Sequence, residues 1–166
     1  MPLIISGPGI KGGTVSHEPV TGCDLFPTAC EWAEVSPLGK IEGTSLVSLL
    51  SGSGQFRRSE DALLFHYPHY GQGPRQKPQS ALILGNWKLI RDLETGKVQL
   101  FDLENDLSEK NDLSGTLPEK ASEFSDLLTR RSEKAGAQMP TKNSSYDPGA
   151  EPAPRRIRPD RRKQGD

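Results

Sequence analysis

Ser80-Ala81-Leu82-Ile83-Leu84-Gly85-Asn86-Trp87-Lys88-Leu89-Ile90-Arg91-Asp92-Leu93-Glu94-Thr95-Gly96-Lys97-Val98-Gln99-Leu100-Phe101-Asp102 sets the architecture of this chain. Three short runs of aliphatic and aromatic residues are separated by Gly85-Asn86 and by residues 92–97. Links this short join antiparallel neighbours, because a parallel pair needs a crossover of a dozen residues or more. Strands are therefore predicted at 80–84, 87–91 and 98–102, connected as a meander. One step toward the N-terminus, Ala62-Leu63-Leu64-Phe65-His66-Tyr67 has the same character and supplies a fourth strand. In the other direction, residues 117–135 carry Ala121, Phe124, Leu127 and Leu128 at three- and four-residue steps, opposite Glu119, Lys120, Glu123, Asp126 and Arg130. That spacing is an amphipathic helix with its apolar stripe aimed at the sheet. The expectation is an α+β unit, a small four-stranded antiparallel sheet packed on a C-terminal helix.

Toward the N-terminus, Pro2-Leu3-Ile4-Ile5-Ser6 reads as a short buried strand ended by the turn Gly7-Pro8-Gly9. A core-type strand at the first residues suggests that sequence precedes it. Residues 14–20 read as extended, and a helix follows that Thr21 caps and that tolerates Pro27 in its first turns. Cys23, Phe26, Thr28, Cys30, Trp32 and Ala33 spread apolar groups over more than one face, as in a helix buried on a sheet. Cys23 and Cys30 lie two turns apart, about 10 Å along the axis, too far for a disulfide, so two buried thiols are expected. A second short helix, Leu46 to Leu50, runs into Ser51-Gly52-Ser53-Gly54. Three segments result: 1–58, 59–136 and an extended, largely disordered basic tail at 137–166.

At 166 residues one compact domain is possible, but 17 Gly, 14 Pro and a hydrophobic fraction of 33% leave part of the length to loops. The net charge of -1 offers no field for nucleic acid or anionic lipid. Arg155-Arg156 and Arg161-Arg162-Lys163 lack interleaved aromatics and read as a solvated tail. No long apolar run marks a membrane span, and the first residues lack the basic and apolar regions of an export signal.

Residues with chemistry are few. His17 is alone in a polar stretch, and reads as a surface residue. Asp24 suits the positive end of a helix and needs no further role. His66-Tyr67-Pro68-His69-Tyr70-Gly71 gathers two imidazoles and two phenols at a strand end, able to donate to an anionic or sugar oxygen; an aromatic loop packed for structure is the plainer alternative. His66 and His69 are thus the candidate substrate-binding residues. No metal site is expected there, since the pair lacks helical i, i+4 spacing and neighbouring ligands. Asp102, Glu104, Asn105, Asp106 and Asp112 lack the spacing and central glycine of a calcium loop and read as a polar connection.

Taken in order, Pro2 to Ile10, Asp24-Leu25-Phe26-Pro27-Thr28, Gly43-Thr44-Ser45-Leu46, the His66 to Gly71 run, Gly85 to Arg91, Leu100 to Asp106, Glu109-Lys110-Asn111-Asp112-Leu113 and Met139-Pro140 with Tyr146-Asp147-Pro148 resemble the C-terminal portion of type I sulfatases, of the alkaline-phosphatase-like superfamily. The resemblance implies an α/β parent fold and a sulfuric ester hydrolase, arylsulfatase-like, acting on sulfated carbohydrate or aryl sulfate esters. It implies calcium and a formylglycine made from Cys or Ser within Cys/Ser-x-Pro-x-Arg in the full-length parent, which would be periplasmic or secreted. Neither Cys23-Asp24-Leu25-Phe26-Pro27 nor Cys30-Glu31-Trp32-Ala33-Glu34 matches that motif, and the family's metal aspartates and catalytic lysine precede the part resembled here. No catalytic residue, metal ligand or cofactor site is therefore expected in these residues, and the chain alone should be inactive. A sulfated small molecule or glycan is the expected partner in the parent, with no nucleic acid and no membrane. A non-catalytic sulfated-sugar-binding module and a related phosphodiesterase or phosphonate hydrolase are the rival readings.

Overall fold

A computed structural model describes residues 2–52, 56–58, 61–70, 77–141 and 143–145; Gly54, Gly71, the Tyr146-Asp147-Pro148 triplet and the basic stretch 151–166 lie outside them. The meander is present. Strands β1 (Ala62–Tyr67), β2 (Gln79–Leu84), β3 (Trp87–Asp92) and β4 (Val98–Asp102) form one sheet in the order β1-β2-β3-β4, every pair antiparallel. The two-residue link Gly85-Asn86 needs a left-handed residue, and Gly85 supplies it with φ at 56°.

Register decides which side chains share a face. Leu64 opposes Leu82, Leu82 opposes Leu89, and Leu89 opposes Leu100, so one line of leucines crosses all four strands. Helix α3 (Pro118–Lys134) lies on that face and touches every strand. Its buried Ala121, Phe124 and Leu128 close a core with Ala62, Leu82, Leu89 and Leu100. Pro118 opens the helix where its missing N–H costs nothing. Polar groups fasten the rim: Arg91 donates to Thr129 Oγ1 at 2.9 Å and to Ser125 O and Oγ at 2.5 Å, and Lys120 Nζ sits 4.5 Å from the Trp87 ring centre.

The outer edge of β4 is closed by the loop that follows. Asp112 Oδ1 accepts the Leu100 N–H at 3.1 Å and the Leu113 N–H donates to the Leu100 carbonyl at 2.8 Å, satisfying backbone groups that an open edge would expose. Asp102 and Asp106 accept from the amides of Glu104, Lys110 and Asn111. The acidic stretch thus folds as the polar connection expected, with Asp102, Asp106 and Asp112 each accepting nearby backbone amides.

The described residues between 19 and 58 form a smaller unit. A 3-10 turn (Gly22–Asp24) runs into α1 (Leu25–Trp32), and α2 (Val47–Ser51) packs beside it and ends at Gly52 in the left-handed region, φ 67°. Gly43 is required by contact: a Cβ there would lie 2.0 Å from the Cys23 carbonyl oxygen. Three expectations need correction. Pro2–Ser6 is not a strand: no ladder reaches it among the described residues, and Ile4 is 88% exposed; apolar composition alone cannot supply the neighbour that a strand's backbone requires. The helix is not buried on several faces, since Phe26 and Trp32 are exposed while Pro27, Thr28 and Cys30 are buried; α1 packs against a second short helix, which covers one side, and not against a sheet. Cys30 is buried but Cys23 is exposed, because Cys23 belongs to the 3-10 turn and not to the helix.

Candidate functional site

The corner at the end of β1 holds both candidate histidines. His66 shares the helix-facing side of the sheet with its cross-strand partner Ser80 and is half-buried. Its Nδ1 lies 2.7 Å from Ser80 Oγ and its Nε2 lies 2.9 Å from the carbonyl oxygen of Gln138, in the segment that leaves α3. Both ring nitrogens are therefore engaged by the protein. A serine hydroxyl beside an imidazole suggests a nucleophile and its base, but Ser80 is 3% exposed, sealed between sheet and helix, where no ester can reach it. His69, three residues on, is exposed and stands edge-on to Tyr67, ring centres 5.9 Å apart. Tyr70 donates its phenol to Glu94, tying the corner to the β3–β4 link. The result is a strand end with His69 and the Tyr67 ring at the surface and His66 bonded inward to Ser80 and Gln138.

A second cluster was not legible in the sequence. Asp24 is fully buried and its carboxylate meets the Arg58 guanidinium in a fork, Nη1 to Oδ1 at 2.9 Å and Nη2 to Oδ2 at 2.7 Å. The Thr21 and Thr44 amides also donate to it, at 2.7 and 2.9 Å. Arg58 Nη2 further donates to the Pro19 carbonyl at 2.6 Å. Burial opposes ionisation of Asp24, but the Arg58 and backbone hydrogen bonds outweigh it and hold the carboxyl at about 2. Thr28 continues the network, donating to the Asp24 carbonyl at 2.6 Å and accepting from the Leu46 amide at 2.9 Å. Beside this clasp a cleft of about 550 Å³ opens between Pro19, Phe56 and Arg58 on one side and Leu63 and Ile83 of the sheet on the other. The clasp is architectural: every polar atom of Asp24 is spent on Thr21, Thr28, Thr44 or Arg58.

Neither calcium nor a formylglycine precursor fits these residues. Among the described residues no three His, Cys, Asp or Glu side chains converge in a way that would hold a metal ion, and the aspartates of 102–112 already serve as turn acceptors. Cys30 is buried within α1 and Cys23 is followed by Asp24-Leu25, so neither lies in a Cys-x-Pro-x-Arg setting.

Comparison with known proteins shows the family. The family described as N-sulphoglucosamine sulphohydrolase, C-terminal, matches residues 1–136. The chain belongs to that family. Arylsulfatase K of Xenopus laevis is 32% identical over 135 residues, covering 77% of this chain and 25% of that protein, and arylsulfatase K of Danio rerio is 29% identical over 130 residues with the same coverage. A sulfatase of Formosa agariphila is 28% identical over 155 residues, 87% of this chain and 28% of the relative. This sulphohydrolase C-terminal region thus spans about a quarter of the length of the curated relatives it matches. Among solved structures, a 2-O GAG sulfatase superposes with a TM-score of 0.63 at 22% identity over 80% of this chain and 29% of its own. A protein solved in complex with its substrate D-glucosamine-2-N,6-O-disulfate gives 0.57 at 23% identity, over 68% and 24%. The four-stranded sheet with its helix is the C-terminal part of the alkaline-phosphatase-like sulfatase fold. No helix among the described residues is long and apolar enough to cross a membrane.

Proposed function

We propose that this sulfatase C-terminal region forms one wall of the ligand site in a sulfuric ester hydrolase acting on sulfated carbohydrate or aryl sulfate esters, and contributes no reacting group. The observation that carries this reading is the corner at the end of β1: His69 exposed and set edge-on to Tyr67, on a strand whose own histidine is held at both nitrogens. An imidazole N–H donates well to a sulfate or sugar oxygen, and an aromatic ring beside it covers the apolar face of a pyranose. Calcium and formylglycine, which the family uses, belong in this reading to residues of the parent enzyme other than those described here, and so does catalysis. The parent is periplasmic or secreted, in keeping with sulfated glycans as extracellular material.

Calorimetric titration of the 166-residue chain with N-sulfated glucosamine tests the ligand wall. Binding is expected to be weak, and His69→Ala is expected to lower the affinity at least about tenfold, the loss of one hydrogen bond to a charged group. Equal affinity in the variant, or equal affinity for unsulfated glucosamine, would remove the corner from the ligand site. Equal affinity for a phosphorylated sugar would favour the related phosphodiesterases.

A further inference from the structure

Residues 66, 80 and 138 are distant in sequence yet meet at one imidazole, and their chemistry leaves little freedom. A carbonyl oxygen only accepts, so the 2.9 Å contact to Gln138 requires that His66 Nε2 carry a proton. In the neutral ring Nδ1 is then bare and accepts the Ser80 hydroxyl, 2.7 Å away. Ser80 is anchored in turn: it stands in β2, paired with both His66 and Arg91, and is 3% exposed. The ring is therefore oriented from the core outward and holds the chain that leaves α3. That chain turns sharply at Gly136, φ 65°, where the Ala137 amide closes on the Ser132 carbonyl, and Met139 beyond it is exposed.

We infer that Ser80 and His66 are positioning residues: His66 latches the strap at residues 137–141 to the end of β1, so that strap and His69 corner form one rigid frame around the ligand. This deepens the reading of the corner as a ligand wall and rests on it for the word ligand, but the latch itself stands on geometry alone. His66 touches no reacting atom in this account. It acts through what it holds, the strap on one nitrogen and the sheet on the other.

The side chains of the variants separate the two contacts. His66→Gln places an amide donor near the position of Nε2 and keeps the strap; His66→Asn is too short to reach it. Gln138→Ala removes a side chain and leaves the carbonyl that accepts. In the 15N-labelled 166-residue chain, nitrogen-detected imidazole spectra are expected to show the proton on Nε2 of His66. The backbone heteronuclear NOE of Gln138, Met139 and Thr141 is expected to match α3 in the wild type, in His66→Gln and in Gln138→Ala, and to fall to free-terminus values in His66→Asn. The affinity for N-sulfated glucosamine is expected to drop about tenfold in His66→Asn and to recover in His66→Gln. A proton on Nδ1 with bare Nε2, or a strap equally ordered in every variant, overturns the latch. A loosened strap with unchanged affinity overturns the positioning role. Failure of the wild type to bind the sugar at all counts against the ligand wall itself, while the NOE still decides the latch.

Discussion

At the scale of single residues, Asp24 and Arg58 carry the largest consequence. Removing one member of a buried ion pair leaves the other charged and unsolvated, which costs about 3–5 kcal/mol. Arg58→Met should therefore open the clasp. The amides of Thr21 and Thr44, which donate to Asp24, should lose hydrogen-exchange protection while Leu82 in the sheet keeps its own; unchanged protection at Thr21 and Thr44 would contradict the clasp. Acid should do the same more gradually. The Asp24 carboxyl lies at about 2 in the folded chain against an ordinary 3.8, so the unfolded state takes up the proton first. The stabilisation of about 2 kcal/mol is present above about pH 5 and is lost progressively as pH falls to about 1. A carboxyl carbon titration of Asp24 by NMR reads that midpoint directly, and a value near 3.8 would remove the effect. In sequence, Asp24 reads as a helix-start charge, and nothing in residues 21–28 names Arg58 as its partner. Pairing across 34 positions through loops leaves no periodic signal.

At the scale of elements, the sheet and α3 hold together through a few fully buried leucines. Leu128 is 0% exposed and lies in the cluster with Leu82, Leu89 and Leu100. Leu128→Ala should cost about 2–5 kcal/mol, the transfer term plus an unfilled cavity. Thermal unfolding followed by circular dichroism would show it as a large fall in Tm; a shift of a degree or two would mean that α3 is not docked on the leucine line. These elements were legible in the sequence because they are locally encoded: alternation and short turns specify β1 to β4, and the three- and four-residue steps specify α3. Pro2–Ser6 and α1 were misread for a shared reason. Apolar composition says that a segment is suited to burial, but burial of Ile4, Phe26 or Trp32 depends on a neighbour that no local pattern in this chain provides. The corner was legible as a cluster of His66, Tyr67, His69 and Tyr70. Its division of labour was not, because the Gln138 carbonyl arrives from 72 positions away.

At the scale of the whole molecule, the sheet and α3 are a scaffold that holds the β1 corner, and in the reading proposed above the groups that do the family's chemistry belong to other residues of the parent. Family membership and fold rest on residues 1–136 and on the superposed sulfatases; the distribution of labour rests on where the polar groups are already committed. Asp24, Asp102, Asp106 and Asp112 hold backbone amides, Ser80 is sealed, and Cys30 is buried. The surface around His69 is the part proposed above to meet a sulfated sugar. The most direct test is one NMR experiment, in which the 15N-labelled 166-residue chain is mixed with N-sulfated glucosamine and calcium and followed over a day. Shifts are expected to centre on His69 and Tyr67, with the sugar signals intact. Appearance of the desulfated sugar, or shifts confined to residues away from the β1 corner, would contradict that reading.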